Sequence, residues 1–119
     1  MEKTKIGVIG CGNIAPAYLE GTRPFEFLDL AFCADQDQVR AEAFAKNHGL
    51  AALPVDELLA EPSIEVVVNL TVPLAHGEIS LAALQAGKHV YSEKPLAVTP
   101  KEIRAMIAAR DQSGKILMT

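Results

Sequence analysis

Six residues near the start, Gly10-Cys11-Gly12-Asn13-Ile14-Ala15, fit the spacing G-x-G-x-x-G/A. That spacing suits the handling of a diphosphate. Gly10 can take a tight turn out of a strand. Gly12 carries no Cβ, so a pyrophosphate can come close to the backbone. Ala15 is small enough for a helix to pack against that strand. The helix start at Asn13 and Ile14 then offers free N–H groups and a positive dipole end to the phosphates. Asp35 follows Gly12 near the spacing of about 20 residues at which an acidic side chain reads a ribose. Its carboxylate can accept bonds from both ribose hydroxyls, each worth about 1.5–3 kcal/mol. The same charge repels a 2′-phosphate. These residues predict a dinucleotide site that takes NAD in preference to NADP. A solvated Asp35 that caps a turn is the plainer alternative, and Asp37 competes for the role, although it fits a helix cap better.

A second group, Glu93-Lys94-Pro95, follows an apolar run of strand length. That places Lys94 at the carboxyl edge of a sheet, where open α/β folds bind ligands. Beside a positively charged nicotinamide, the ammonium form of a lysine is disfavoured. Lys94 can then accept or relay a proton from a hydroxyl during hydride transfer. A solvated loop lysine is the alternative. His76 stands at the start of a helical segment and has two readings, one beside a cofactor and one as a capping or packing residue. His48 and His89 read as structural. The three histidines have no ligand spacing, so no metal site is expected.

The elements that must position these groups alternate between strand-length and helix-period segments. Ile6 to Ile9 reads as a buried strand, and Asn13 to Gly21 as a helix with Pro16 in its first turn. Phe25 to Ala34 reads as a second strand. Asp37 caps a helix in which Val39, Ala43 and Phe44 share a face, and Gly49 ends it. Leu50 to Leu53 is a weak third strand and Asp56 to Ala60 a short helix. Ile64 to Leu70, with Val66, Val67 and Val68, has the β-branched content of a central parallel strand. Ile79, Ala82, Ala83 and Ala86 mark one face of a helix closed by Gly87. His89 to Ser92 is a fifth strand. Thr99-Pro100-Lys101-Glu102 fits a capping box, with Ile103, Met106 and Ile107 on the inner face of its helix and Gly114 as the stop. Lys115 to Thr119 begins a sixth strand. This order predicts a Rossmann-type doubly wound parallel sheet of about six strands, with helices on both faces. A final strand with nothing beyond it reads as a domain boundary.

Composition narrows the partners. The chain has 119 residues, half of them apolar, and a net charge of −4. It suits one domain of about 100–150 residues. Its scattered Lys and Arg residues form no basic patch, so nucleic acid is not an expected partner. No run nears the roughly 20 apolar residues of a membrane span, and the first residues do not read as a signal peptide. Cys11 and Cys33 read as reduced, buried thiols. A cytoplasmic protein is expected.

Taken together, the Gly10 motif, Cys33-Ala34-Asp35 and Ala86-Gly87-Lys88-His89-Val90-Tyr91-Ser92-Glu93-Lys94-Pro95-Leu96 resemble the Gfo/Idh/MocA oxidoreductases. The resemblance runs from Gly7 to the last strand. It implies that Lys94 contacts the substrate hydroxyl at the edge of the nicotinamide site. It also implies that Glu93 lies near the nicotinamide ribose and that Pro95 fixes the bend behind the lysine. Thr71 and His76 match the family's pattern beside the nicotinamide. The family often has Thr-Pro-Asn-x-x-His there, whereas this chain has Thr71-Val72-Pro73-Leu74-Ala75-His76. Pro73 is shifted by one and the Asn is missing, so this loop is expected to hold cofactor by backbone and packing. The implied activity is NAD-dependent hydride exchange with a hydroxyl or carbonyl of a small sugar or polyol. The implied architecture adds a second α/β domain that completes the substrate site and forms a homo-oligomer. On that basis this chain binds cofactor without turning over substrate. Two other classes share some of these features. S-adenosylmethionine methyltransferases also use a glycine-rich turn and an acidic residue, and a non-catalytic NAD-binding module would lack a second domain.

Overall fold

A computed structural model describes residues 2–119. Six strands form one parallel sheet: β1 (Thr4–Ile9), β2 (Leu28–Ala34), β3 (Ala51–Ala52), β4 (Ile64–Asn69), β5 (His89–Ser92) and β6 (Leu117–Met118), in the order β3-β2-β1-β4-β5-β6. The helices are α1 (Ala15–Thr22), α2 (Gln38–His48), α3 (Val55–Ala60), α4 (Pro73–Gln85) and α5 (Pro100–Ser113). This is the expected doubly wound fold. Strand order reverses between β1 and β4, and the crevice beyond that point is where such sheets take ligands. Ala34, Ile9, Asn69 and Ser92 pair in one row across four strands. One residue past that row come Asp35, Gly10, Leu70 and Glu93, which brings the candidate site residues to a single edge.

Two cores sandwich the sheet. Ile6, Val8, Leu30, Cys33 and Val68 pack with α1 and α2 on one face. Ile9, Ala34, Val67 and Val90 pack with α3, α4 and α5 on the other. Strand residues alternate between the faces because successive side chains point opposite ways.

Helix existence follows the sequence, while the buried faces differ from expectation. In α2, Ala41, Phe44 and Ala45 are buried, whereas Val39 is 75% exposed and Ala43 also faces solvent. The cap itself is as expected, since Asp37 accepts from the Val39 and Arg40 N–H groups and Gly49 closes the helix at φ 73°. In α4 the buried residues are His76, Gly77, Ser80, Ala83 and Leu84, and Ala86 is exposed. The inner face is polar because Ser80 pairs with the buried Asn69 and Gly77 makes room for the Glu102 side chain of α5. In α5, Met106 and Ala109 are buried and Ile107 is exposed. Thr99 caps α5 by accepting from the Glu102 N–H, and its hydroxyl donates to the Glu102 carboxylate. The starts shift as well: α1 begins at Ala15 rather than Asn13, and β2 at Leu28 rather than Phe25. Phe25 and Phe27 instead form an edge-on aromatic pair at the surface.

Lys88 is buried at the opposite edge of the sheet. Its ammonium donates to the carbonyls of Glu61 at 2.5 Å and Ile64 at 2.8 Å. Burial pushes its pKa below the usual lysine value. The bonds tie the loop before β4 to the start of β5, since a buried acceptor left unpaired is costly. Lys88→Met keeps the stem and removes both donors. It should cost about 1–3 kcal/mol, seen in urea unfolding as a lower midpoint at unchanged slope.

Candidate functional site

The glycine-rich turn leaves β1 at Gly10, whose φ is +105°. A Cβ there would lie 2.5 Å from the Leu70 carbonyl and 2.8 Å from the Thr71 nitrogen. Backbone conformation and the neighbouring strand end therefore both require glycine at this position. Gly12 differs. A Cβ at Gly12 would meet nothing within 4 Å, so no packing inside the protein calls for glycine there. The space it faces is the open groove. Ile14 is the N-cap residue of α1 and supplies no side-chain bond. The Ala15 and Ala17 N–H groups already bond the Gly12 and Ile14 carbonyls, and Pro16 has none. The donors facing a ligand are therefore those of the turn itself, at Gly12, Asn13 and Ile14. The groove has a volume of about 150 Å³ and is lined by Gly10, Gly12, Asp35, Arg40, Thr71 and Val72, among others. Asn13 lies on a neighbouring groove with Arg40 and Asn47, and Ile14 is exposed. These features leave space for a phosphate group to approach the backbone at Gly12.

Asp35 is only 7% exposed. One carboxylate oxygen accepts from the Cys11 N–H at 2.8 Å and the other from the Asp37 N–H at 2.8 Å. The carboxylate thereby ties the glycine-rich turn to the end of β2. An ionised carboxylate has about four acceptor positions, so capacity remains for a ribose. The Arg40 guanidinium stands 3.8 Å from this carboxylate with its own side chain largely exposed. Arg40 was not anticipated. Its place in the first turn after the Asp37 cap is the signal that marks it. Cys11 and Cys33 are free and buried, as expected. The Cys11 thiol donates to the Ala34 carbonyl at 3.4 Å and the Cys33 thiol to the Ala41 carbonyl at 3.5 Å. The neighbouring Cys33 thiol and burial push the Cys11 thiol well above its usual value, which suits an inert packing residue at Cys11.

The other half of the crevice is organised by Asn69, a residue the sequence reading missed. It is fully buried. Its carbonyl oxygen accepts from the Thr71 N–H at 3.2 Å and the Thr71 hydroxyl at 2.7 Å. Its amide donates to the His76 carbonyl at 3.0 Å and to Ser80 Oγ at 2.9 Å. Pro73 opens α4 and is exposed. His76 is 1% exposed, and its two ring nitrogens face the carbonyls of Pro95 and Thr71. Its ring does not line the groove. The Glu93 carboxylate accepts from the Tyr18 hydroxyl of α1, and Tyr18 stacks edge-on against Tyr91 at 6.1 Å. Lys94 is exposed after β5, and the Lys94-Pro95 peptide is cis. No cluster of metal-ligating side chains occurs among the described residues.

The family model for the oxidoreductase family with an NAD-binding Rossmann fold, Gfo/Idh/MocA, matches residues 4–119. The chain belongs to this family. Its membership sets aside the methyltransferase reading. The 1,5-anhydro-D-fructose reductase of Ensifer adhaerens is 33% identical over 95% of this chain, which spans 34% of that protein. The dehydrogenase WlbA of Chromobacterium violaceum, solved with NADH and UDP-GlcNAcA, superposes with a TM-score of 0.92 at 25% identity, over 98% of this chain and 34% of its own. The 3-ketoreductase KijD10 of Actinomadura kijaniata, solved with NADP and TDP-benzene, gives a TM-score of 0.90 at 28% identity, over 98% and 37%. This Gfo/Idh/MocA domain thus spans about a third of the length of the relatives it matches. Among its described residues, no helix is long and apolar enough to cross a membrane.

The Tyr18–Glu93 pair has a measurable consequence. Burial first, then the bond to Glu93, raise the Tyr18 phenol well above the ordinary tyrosine value of 10.0. The folded chain therefore keeps a proton that the unfolded chain gives up, so stability should fall as pH climbs through and above about 10. Tyr18→Phe should flatten that part of the stability–pH curve and remove the late tyrosine ionisation seen by near-ultraviolet absorbance.

Proposed function

We propose that this chain holds NAD across the β1/β4 crevice for hydride exchange with a hydroxyl or carbonyl carbon of a sugar or cyclitol. The observation that carries this reading is the glycine pair. Gly10 is demanded by the protein's own backbone, whereas the open space beside Gly12, on the groove wall, leaves room for a ligand to come close to the chain. The backbone from Gly10 to Ile14 would receive the pyrophosphate, and the free acceptor positions of Asp35 the adenosine ribose. Thr71 and Val72 would flank the nicotinamide half, with Pro73 and His76 behind them. Glu93, oriented by Tyr18, would face the nicotinamide ribose. The nicotinamide, when bound, carries the hydride. Lys94 would hold or relay the proton of the reacting hydroxyl, since no partner among the described residues takes its ammonium. The sugar-like substrate class rests on what relatives such as the anhydrofructose reductase act on.

Preference for NAD over NADP rests on the Asp35 charge, which repels a 2′-phosphate. Arg40 works in the opposite direction, because its guanidinium lies close enough to soften that repulsion. Asp35 is the buried charge, held by two N–H bonds, and Arg40 the exposed one, screened by solvent, so NAD is favoured.

The test is a fluorescence titration with NADH and NADPH side by side. NADH should bind at least about tenfold tighter. Equal affinities would remove Asp35 from its role. Gly12→Ala should unfold at nearly the wild-type temperature yet lose about tenfold or more in NADH affinity. Gly10→Ala should be destabilised outright, because alanine strains that φ and meets the β4 backbone. Undiminished NADH binding by Gly12→Ala would sink the cradle. Because the relatives are about three times as long, the remaining substrate groups are proposed to lie outside this chain. Steady NADH production from polyols by this chain alone would overturn that part.

A further inference from the structure

Asn69 is fully buried, and its amide is oriented by partners that can each act in one sense only. The His76 carbonyl, 3.0 Å from Nδ2, can only accept. The Thr71 backbone N–H, 3.2 Å from Oδ1, can only donate. Turning the amide over would lose both bonds. Oδ1 also lies 2.7 Å from the Thr71 hydroxyl. A carboxamide oxygen has no hydrogen, so the hydroxyl must supply its own. A hydroxyl carries one hydrogen and two lone pairs. An unconstrained threonine therefore rotates to give or to take a hydrogen bond. Thr71 has spent its hydrogen on Asn69, and to the groove that it lines it can offer lone pairs alone.

The order β2-β1-β4 sets three polar groups side by side along the carboxyl edge. After β2 comes Asp35, whose carboxylate accepts. After β1 comes the glycine-rich turn, whose N–H groups at Gly12, Asn13 and Ile14 donate. After β4 comes Thr71, which Asn69 makes an acceptor. Across the groove the protein thus presents acceptor, donor, acceptor. The complementary ligand presents hydroxyls, then phosphate oxygens, then a further O–H or N–H. We propose that Thr71 accepts a hydrogen bond from a hydroxyl or amide N–H on the nicotinamide side of the dinucleotide, and that Asn69 is the positioning residue that imposes this sense. The inference rests on the function proposed above and adds the chemistry of the group that Thr71 selects. A carboxylate or phosphate oxygen in that place has no hydrogen to give, and two acceptors would then face each other. A site built around a ligand's donor discriminates well against an analogue that lacks it, because the protein group is left unpaired.

The test is titration of the intact chain with NADH and with ADP, which carries the adenosine and the diphosphate but no group beyond them. Thr71→Val keeps the shape of the side chain and removes the hydroxyl. It should weaken NADH binding about fivefold to tenfold and leave ADP binding unchanged. Thr71→Ser restores the acceptor and should bring NADH back to within about twofold of the wild type. Asn69→Ala frees the hydroxyl to rotate. It should weaken NADH as much as Thr71→Val does, with no further loss when the two are combined. Equal NADH affinity in the wild type and Thr71→Val overturns the inference and leaves the cofactor site standing. Equal loss of NADH and ADP in Thr71→Val overturns it too, since the residue then serves the fold rather than one ligand group. Additive losses in the double variant overturn the role of Asn69. A wild-type chain that binds neither NADH nor ADP overturns the proposed function and this inference together. If Asn69→Ala does not fold, the Thr71 variants decide alone.

Discussion

The close approach of two backbones at Gly10 is the contact on which the rest of the site depends. Where β1 and β4 leave the sheet, the Gly10 backbone passes so near Leu70 and Thr71 that a single added carbon would overlap them. That approach brings the glycine-rich turn and the Thr71 loop to the two sides of one crevice. Leu70 N–H donates to the Ile9 carbonyl at 2.8 Å and carries the β1/β4 pairing right up to that point. The crevice thus begins where the last ladder bond ends. Parallel strands with helices on both faces leave their carboxyl ends as the free edge for a ligand.

Around that contact, buried polar groups hold the loops in place. Asp35 ties the glycine-rich turn to β2 and α2. Asn69 ties the Thr71 loop to α4. Tyr18 ties α1 to Glu93. Among the described residues, no buried side-chain nitrogen or oxygen lacks a partner. A satisfied network of this kind rigidifies a site, because breaking any one bond strands a polar group in a low-dielectric interior. The chain invests these bonds at the strand ends rather than inside the two apolar cores. Rigid loops are what orientation of a cofactor and a reacting hydroxyl needs.

Charge is arranged along the same edge. The buried carboxylate of Asp35 and the exposed guanidinium of Arg40 stand together beyond β2. Glu93 and the exposed Lys94 stand beyond β5. Relatives solved with NADH and with NADP show that this family's fold accommodates either dinucleotide.

Much of this was legible in the sequence. Strand and helix alternation, the caps at Asp37, Gly49, Thr99 and Gly114, and the glycine motif all depend on residues close together in the chain, where local physics is sufficient. The family could be read because its motifs are local too. The buried helix faces could not be read from apolar spacing alone. Val39 and Ile107 face solvent, whereas His76 and Ser80 face inward, because partners from other elements set those choices. Arg40, Asn69, Ser80 and Tyr18 were missed for the same reason: each acts through a residue distant in sequence or across an element boundary. Gly10 was named as a turn residue, but its collision with β4 appears only when the strands are paired. The sequence by itself determined which elements form and which chemistry gathers at their ends. Only the tertiary structure decided which polar groups meet, because burial and hydrogen-bond partners are properties of packed neighbours rather than of the chain.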